Sequence, residues 1–480
     1  MIGWPPIIML MQSYRAYRDT IRQTVLSTYN ILGFLSSGTY GRVYKASLKG
    51  HFKSGVPEDE RSGVVFAIKK FKPDKEEHAT YTGISQSAMR EIALNRELRH
   101  EHIITLREVT LEDKSIYMIF NYASHDLLQV IHHHSTVLRN PISLPVLKSL
   151  LFQLLNGIHY LHSHFVLHRD LKPANILLTR DGVVKIADLG LARIYQAPLQ
   201  SLYAGDKVVV TIWYRAPELL LGARHYNYKI DMWAVGCIWG ELLALRPMFK
   251  GEEAKMDAKN KTTLFQADQF ARIIEVLGNP SKEKWPGIEH MPDYKHLWPQ
   301  LRIDNFSNNL LSWYSTRARN SSGFELFESL LQYDPGKRLS AKEALDHPWF
   351  QKDPKPTANA FASLPNGDTI YPTRKLIKDE SDPKMMPAAV NSLAQVAGGG
   401  GTSNIIPANN TSKTSSSFPI DPSAPAPAPG SVGSVGSVEH GNSVSSTQQV
   451  PQATTSQQKG GMVATAAANA AGRSAKRQKK

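Results

Sequence analysis

His168-Arg-Asp-Leu-Lys-Pro-Ala-Asn175 is the stretch on which the reading of this chain turns. It gathers a carboxylate, an ammonium and an amide in one short run. Asp170 can accept a hydroxyl proton and orient the nucleophile. Lys172 can neutralise charge on a transferring phosphoryl group, and Asn175 offers an amide oxygen, a hard ligand suited to Mg2+. Thirteen residues later, after the strand-like run Val183-Val-Lys-Ile-Ala187, comes Asp188-Leu-Gly190. Its carboxylate is the right kind of second metal ligand. Ala216-Pro-Glu218 closes the series.

Toward the N-terminus the same chemistry acquires its other parts. Ser36-Ser37-Gly38-Thr39-Tyr40-Gly41-Arg42-Val43 is a Gly-containing turn between two strand-like runs, Tyr29–Leu35 and Arg42–Ala46. Glycines let backbone approach phosphate closely, although an ordinary hairpin turn would read the same way. Val65-Phe-Ala-Ile-Lys69 ends a β-branched run, Gly63–Lys70, with a lysine that can reach nucleotide phosphates. A carboxylate must hold that lysine, and Glu91, on the helix-period segment Ser87–Leu98, is the candidate. Beyond residue 144 long helical patterns dominate, Val146 to His162 and Ile230 to Leu245 among them. The chain therefore reads as α+β, with a small β-rich lobe, a larger α-rich lobe and a cleft between them.

In this order the motifs resemble a eukaryotic protein kinase over about residues 28–351, and the bilobal kinase fold is what that resemblance implies. Ser87-Ala-Met-Arg-Glu-Ile-Ala93 resembles the cyclin-contacting helix of the cyclin-dependent kinases. Thr211–Glu218 and Asp231–Leu242 are also similar to that family. Phe120-Asn-Tyr-Ala-Ser-His-Asp126 and Val208–Tyr226 look like the branch that serves the transcriptional Mediator. The Ser/Pro/Gln-rich tail resembles its fungal form. The resemblance implies that Lys69 and Glu91 form an ATP-orienting ion pair. Ser36 to Gly41 would cover the phosphates, and Leu35, Val43, Ala67 and Leu177 would sandwich adenine. Phe120 would be the gatekeeper and Asn121 to Ala123 the hinge. Asp170 would be the base assisted by Lys172, with Asn175 and Asp188 holding Mg2+. Implied partners are a C-type cyclin and the other Mediator kinase-module subunits. Implied substrates are the RNA polymerase II C-terminal repeats and transcription factors, in the nucleus.

Three departures from the family pattern carry expectations of their own. Ser36 replaces the first glycine of the loop, which should stiffen it. Leu189 replaces the usual phenylalanine after the metal aspartate. Asp206 occupies the position twelve residues before Glu218 where the family usually phosphorylates a threonine. Arg90, Arg169 and Arg193 stand where the family gathers that phosphate. A phosphothreonine brings nearly two charges and Asp206 one, so Asp206 would satisfy the arginines only in part. Val210 and Arg215 imply Ser/Thr-Pro targets, since proline lacks the N–H that the pocket leaves unmet. Thr39 and Tyr40 match positions phosphorylated for inhibition in some relatives, or are plain loop residues.

Composition bounds the rest. The 480 residues carry 56 Lys+Arg against 42 Asp+Glu, a formal +14, with a pI near 9.5 and one cysteine. A lone Cys237 excludes an intramolecular disulfide and a cysteine-rich zinc module, and a buried small hydrophobe is its default reading. No apolar run is long enough for a membrane helix, and the apolar start, Trp4–Met11, lacks the flanks of a signal peptide. The positive charge hints at acidic partners, but no nucleic-acid reader motif is present. His132-His133-His134 reads as a loop or solvated helix end, because three consecutive side chains cannot face one ion. The domain reading is an N-terminal extension at 1–28, whose Ser13–Thr24 is a basic helix for cyclin contact or a solvated segment. A kinase domain at 29–351 follows, then a disordered low-complexity tail at 352–480. That tail carries a Gly-Ser-Val repeat and ends in the basic Arg473–Lys480, a nuclear import signal or a solubilising terminus. An active kinase is expected. A catalytically idle kinase-fold scaffold is the alternative from another class, and another nuclear proline-directed kinase the nearer one.

Overall fold

Tyr29, Ile31 and Leu35 are buried along the first strand while Asn30 and Leu32 are exposed, the alternation of a pleated strand. In the computed structural model this strand, β1 (Tyr29–Ser37), follows a single helical turn, α1 (Val25–Thr28), that Thr24 caps with a reciprocal Ser27 bond. β2 (Gly41–Leu48), β3 (Val65–Phe71), β4 (Leu106–Glu112) and β5 (Ser115–Asn121) complete a five-stranded antiparallel sheet in the order β1-β2-β3-β5-β4. The described residues are most of 23–377, with Met11, Ser13, Tyr14, Ala16, Tyr17 and Met385. Residues 39–40, 50–64, 72–85, 113–114, 196–210, 255–264, 297–305, 319–320 and 366–369 lie outside them, as do the residues beyond 377 other than Met385. The expectations for Thr39, Tyr40, Asp206, Val210, the Gly-Ser-Val repeat and the basic end fall outside the described residues. Met11, Ser13, Tyr14, Ala16 and Tyr17 are helical and exposed.

The sheet has two apolar faces. Phe66, Ile68, Tyr44 and Ile119 pack outward under Val25 and Met385. Ala67, Met118, Phe120 and Leu106 pack inward with Val43 and Leu177. Register then fixes the cleft wall, with Val43 opposite Lys69 and Ala67 opposite Phe120. Gly41 lets β2 start this close to β3, since a Cβ there would stand 2.4 Å from the Lys70 carbonyl oxygen. Between β3 and β4 lies α2 (Gln86–Glu97), which buries Ala88, Glu91 and Leu94.

Below the cleft, β6 (His125–Asp126) leads into α3 (Leu127–His133), where Asp126 caps the helix by accepting from the Gln129 N–H at 2.8 Å. α4 (Leu144–Ser163) starts with Pro145 in its first turn and buries Val146, Leu150, Leu154, Ile158 and Leu161 on one face. The short strands β7 (Val166–Leu167), β8 (Ile176–Leu178), β9 (Val184–Ile186) and β10 (Arg193–Ile194) carry the chemical loops between them. After the turn α5 (Pro217–Leu220), helix α6 (Lys229–Ala244) is buried nearly all round, Cys237 included. α7 (Ala267–Leu277), α8 (Leu310–Ser315), α9 (Phe324–Leu330), α10 (Ala341–Leu345) and α11 (Pro348–Gln351) complete the lobe. Its core runs continuously from Leu94 to Tyr371. No helix among the described residues is long and apolar enough to cross a membrane.

Two expectations are corrected. Residue 352 does not mark the end of ordered packing. Ala360, Phe361 and Tyr371 are buried in the α-lobe core, and Met385 in the outer face of the sheet. A few large anchors and backbone bonds, such as Ala360 N–H to the Gly182 carbonyl, hold a stretch whose average composition is polar. His134 is not solvated either: it is buried, with its ring nitrogens at 2.9 Å from the Asn140 carbonyl and 3.0 Å from the Tyr371 hydroxyl.

Candidate active site

A cleft of about 540 Å³ opens between the sheet and the α lobe. Leu35, Ser36, Ser37, Gly38, Gly41 and Val43 form its roof; Ala67, Lys69 and Glu91 form its inner wall. Phe120, Asn121 and Ala123 stand at the back, and Asp170, Lys172, Asn175, Leu177 and Asp188 on the floor. Apolar groups above and below a flat slot, with polar groups at one end, suit a nucleoside carrying phosphates.

The polar end is tightly connected. Lys69 Nζ lies 2.7 Å from Glu91 Oε2 and 3.0 Å from Asp188 Oδ1. Burial alone would lower the Lys69 ammonium, but the two carboxylates outweigh it and raise it above its ordinary value. Burial pushes the Glu91 carboxyl up to about 7 against the pull of Lys69. Asp188 also meets a burial penalty, yet Lys69 holds its carboxyl below the ordinary range. Asp188 sits in left-handed backbone, φ +66°. A non-glycine residue held there marks a position the surroundings over-determine.

Asp170 Oδ2 accepts from Lys172 Nζ at 2.8 Å and from Asn175 Nδ2 at 3.1 Å. Its other oxygen, Oδ1, is buried without a hydrogen-bond partner among the described residues. A buried acceptor left unmet is a place for an incoming hydroxyl. Asn175 Nδ2 also donates to the Asp170 carbonyl at 2.8 Å, which leaves the amide oxygen as the group available to a cation.

The loop bearing Asp170 is held from below by a residue whose role sequence reasoning missed. Asp231, buried in α6, accepts from the backbone N–H of His168 and of Arg169, each at 2.9 Å, and pairs with His162 Nε2 at 2.9 Å. His168 Nδ1 accepts from the Asp170 N–H at 3.2 Å, so its proton lies on Nε2, which donates to the Ala187 carbonyl at 3.1 Å. One imidazole thus links the Asp170 loop to the backbone just before Asp188. The signal for Asp231 is an acid, one of two with Glu241, in a largely apolar helix, which spacing alone cannot aim at a loop.

Arg90 Nη1 donates to the Gly190 carbonyl at 2.9 Å and Arg169 Nη1 to the Leu191 carbonyl at 3.2 Å. Arg193, on β10, pairs in register with Leu167. Two of the arginines expected to gather charge thus bond to one turn, and Arg193 follows that turn in the chain. Leu189 is fully buried beneath α2. At Gly190 a Cβ would come within 2.6 Å of Ser87 Oγ, so this glycine sets how closely α2 approaches. Farther down, Glu218 takes a bidentate pair from Arg338 at 2.8 and 2.6 Å, both side chains buried. Sequence reasoning singled out Glu218 but not Arg338. Arg215 lies among the described residues, just after the turn Ile212–Tyr214.

Comparison with known proteins agrees with this geometry. Residues 29–350 match the protein kinase domain. The chain is 54% identical to the serine/threonine-protein kinase SSN3 of Mycosarcoma maydis, over 78% of this chain and 66% of that relative, just under two thirds of its length. It is 53% identical to the serine/threonine-protein kinase ssn3 of Neosartorya fischeri, over 76% of this chain and 86% of the relative. It is 54% identical to SSN3 of Yarrowia lipolytica, over 78% and 89%. Among solved structures, a chain of the yeast RNA Pol II CTD kinase CTDK-1 complex superposes with a TM-score of 0.57 at 31% identity, over 70% of this chain and 97% of that one.

Proposed function

The chain belongs to the protein kinase family and is a serine/threonine kinase that uses ATP, and we propose that it acts within a Mediator kinase module as a cyclin-dependent kinase. The observation that carries the catalytic reading is the single junction where Lys69 meets both Glu91 and Asp188, facing Asp170, Lys172 and Asn175 across one cleft. Adenine would lie between Leu35, Val43, Ala67 and Leu177, with Lys69 toward the phosphates. The substrate hydroxyl oxygen attacks the γ-phosphorus while the bond to the β–γ bridging oxygen breaks. The hydroxyl proton passes to Asp170, and Lys172 offsets charge on the moving phosphoryl group. Asn175 and Asp188 would hold Mg2+. Two oxygen donors beside a phosphate site suit an ion that completes its shell with phosphate and water. When bound it would neutralise phosphate charge.

Similarity to kinases named SSN3, and to a chain of an RNA Pol II CTD kinase complex, supports a C-type cyclin as partner and RNA polymerase II C-terminal repeats as substrate. Transcription factors at Ser/Thr-Pro sites, read through Val210 and Arg215, belong to the same proposal, as does a nuclear location. Asp206 would stand in for the activating phosphothreonine, bringing one charge to Arg90, Arg169 and Arg193. Activity in the cyclin-bound kinase without prior phosphorylation tests this. Asp206→Ala should lower it, and unchanged activity would remove Asp206 from the account.

A further inference from the structure

The outer side of the cleft is crossed by the chain's own C-terminal segment. Tyr371 roots it in the α lobe, with its ring 5.1 Å from that of Phe361 and its hydroxyl 3.0 Å from His134 Nε2. The Pro372 carbonyl then meets His125 Nδ1 at 3.0 Å. Next, the Arg374 N–H donates to the Ser124 carbonyl at 2.9 Å, and its guanidinium lies 3.6 Å from Asp126 Oδ2. The segment finally reaches the sheet: the Ile377 N–H donates to the Phe34 carbonyl at 2.8 Å, in an antiparallel bridge to β1. In order, then, it touches the α lobe, the connection between lobes, and the strand that leads into the glycine loop.

We propose that residues 371–377 are an interlobe clasp that restrains opening of the cleft and thereby slows nucleotide release. Lobes hinged on a short connection open by rotating about it, and bonds made across the mouth must break before they do. Phe34 immediately precedes Leu35 and Ser36 of the roof, so a tether there acts where the roof must lift. The seat fits its occupant closely: a Cβ on Gly33 would lie 3.0 Å from Leu376 Cδ1, so a side chain there would push the leucine off the strand. Where it crosses to the sheet, the clasp is lightly covered. Leu376 and Ile377 remain 48% and 57% exposed, whereas Tyr371 is buried. An exposed crossing between two buried anchors, Tyr371 in the α lobe and Met385 on the outer face of the sheet, is the distribution of a strap between lobes, not of a core element.

The inference rests on the cleft being the nucleotide site, so the test reads release of a nucleotide whose binding is checked first. The full chain, with its cyclin, is loaded with N-methylanthraniloyl-ADP and release is followed by stopped flow. Failure of the labelled ADP to bind to the wild type would count against the nucleotide site itself. Ile377→Pro removes the N–H that Phe34 accepts, at an exposed position outside the cleft lining, and should speed release roughly threefold to tenfold, the loss of one net hydrogen bond. Gly33→Cys with Leu376→Cys places two thiols at the seat, and the natural Cys237 is buried and does not compete. Oxidation of that pair should slow release below the wild-type rate and reductant should restore it. Wild-type release from Ile377→Pro, or from the oxidised pair with its disulfide verified by mass, would overturn the clasp.

Discussion

Lys69 and Glu91 are in contact, 2.7 Å from ammonium to carboxylate, in the chain by itself. The same ammonium reaches Asp188 at 3.0 Å, so α2, β3 and the metal-site turn share one charge. This arrangement has a pH signature. Folded Glu91 binds its proton more tightly than an ordinary carboxyl at 4.5, since burial pushes it to about 7. Its contribution to stability is therefore greatest below the ordinary value and is lost as pH rises toward the folded one. Activity runs the other way, because Lys69 is held by the ionised form. We expect kcat/KM to rise between about pH 6 and pH 8. Glu91→Gln should lack that rise and run about 100-fold lower. A pH–rate profile of both proteins checks this.

Asp231 is expected to act on the loop that carries Asp170. Burial alone would raise its carboxyl, but the bond from His162 and the backbone N–H of Arg169 hold it below the ordinary 3.8. That sign makes its stabilisation present above the ordinary value and lost as pH falls through the folded one. Asp231→Asn should cost about 3 kcal/mol at neutral pH and lower kcat more than it changes KM for ATP. Urea unfolding should show the gap to wild type closing in acid.

The buried pair of Arg338 and Glu218 should tolerate no simplification. A lysine at 338 keeps the charge but not the fork that matches both carboxylate oxygens. Arg338→Lys should therefore destabilise the α lobe by about 2–4 kcal/mol, read as a lower denaturant midpoint with an unchanged slope.

Leu189 is fully buried beneath α2. Leu189→Phe restores the residue usual in the family but adds volume to a packed core. It should cost about 1–3 kcal/mol rather than stabilise. Equal or higher stability in thermal unfolding would show that the site has room to spare.

Much of this architecture is legible in the sequence because it is periodic or contiguous. The helix pattern at 146–162 lies inside α4 and that at 230–245 overruns α6 only by its cap, Leu245, and the strand-like runs around Leu35, Val43 and Lys69 form neighbouring strands in register. Residues carried by one short motif, such as Asp170, Lys172 and Asn175, also stand together in space. What sequence hides is pairing over distance. Asp231 reaches a loop some 60 residues away and Arg338 an acid 120 residues away, and no local pattern ties a buried charge to its partner. The C-terminal segment was missed for a different reason. Its window average is polar, and the few groups that seat it, Phe361 and Tyr371 above all, are diluted within that average.

Phosphate transfer from ATP to a Ser-Pro peptide, with a C-type cyclin present and absent, tests the central claim most directly. The account predicts Mg2+-dependent transfer that the cyclin raises strongly, that Asp188→Ala abolishes, and that falls when the proline is replaced. Binding of ATP without transfer in the cyclin-bound chain, or transfer that Asp188→Ala leaves intact, would contradict it.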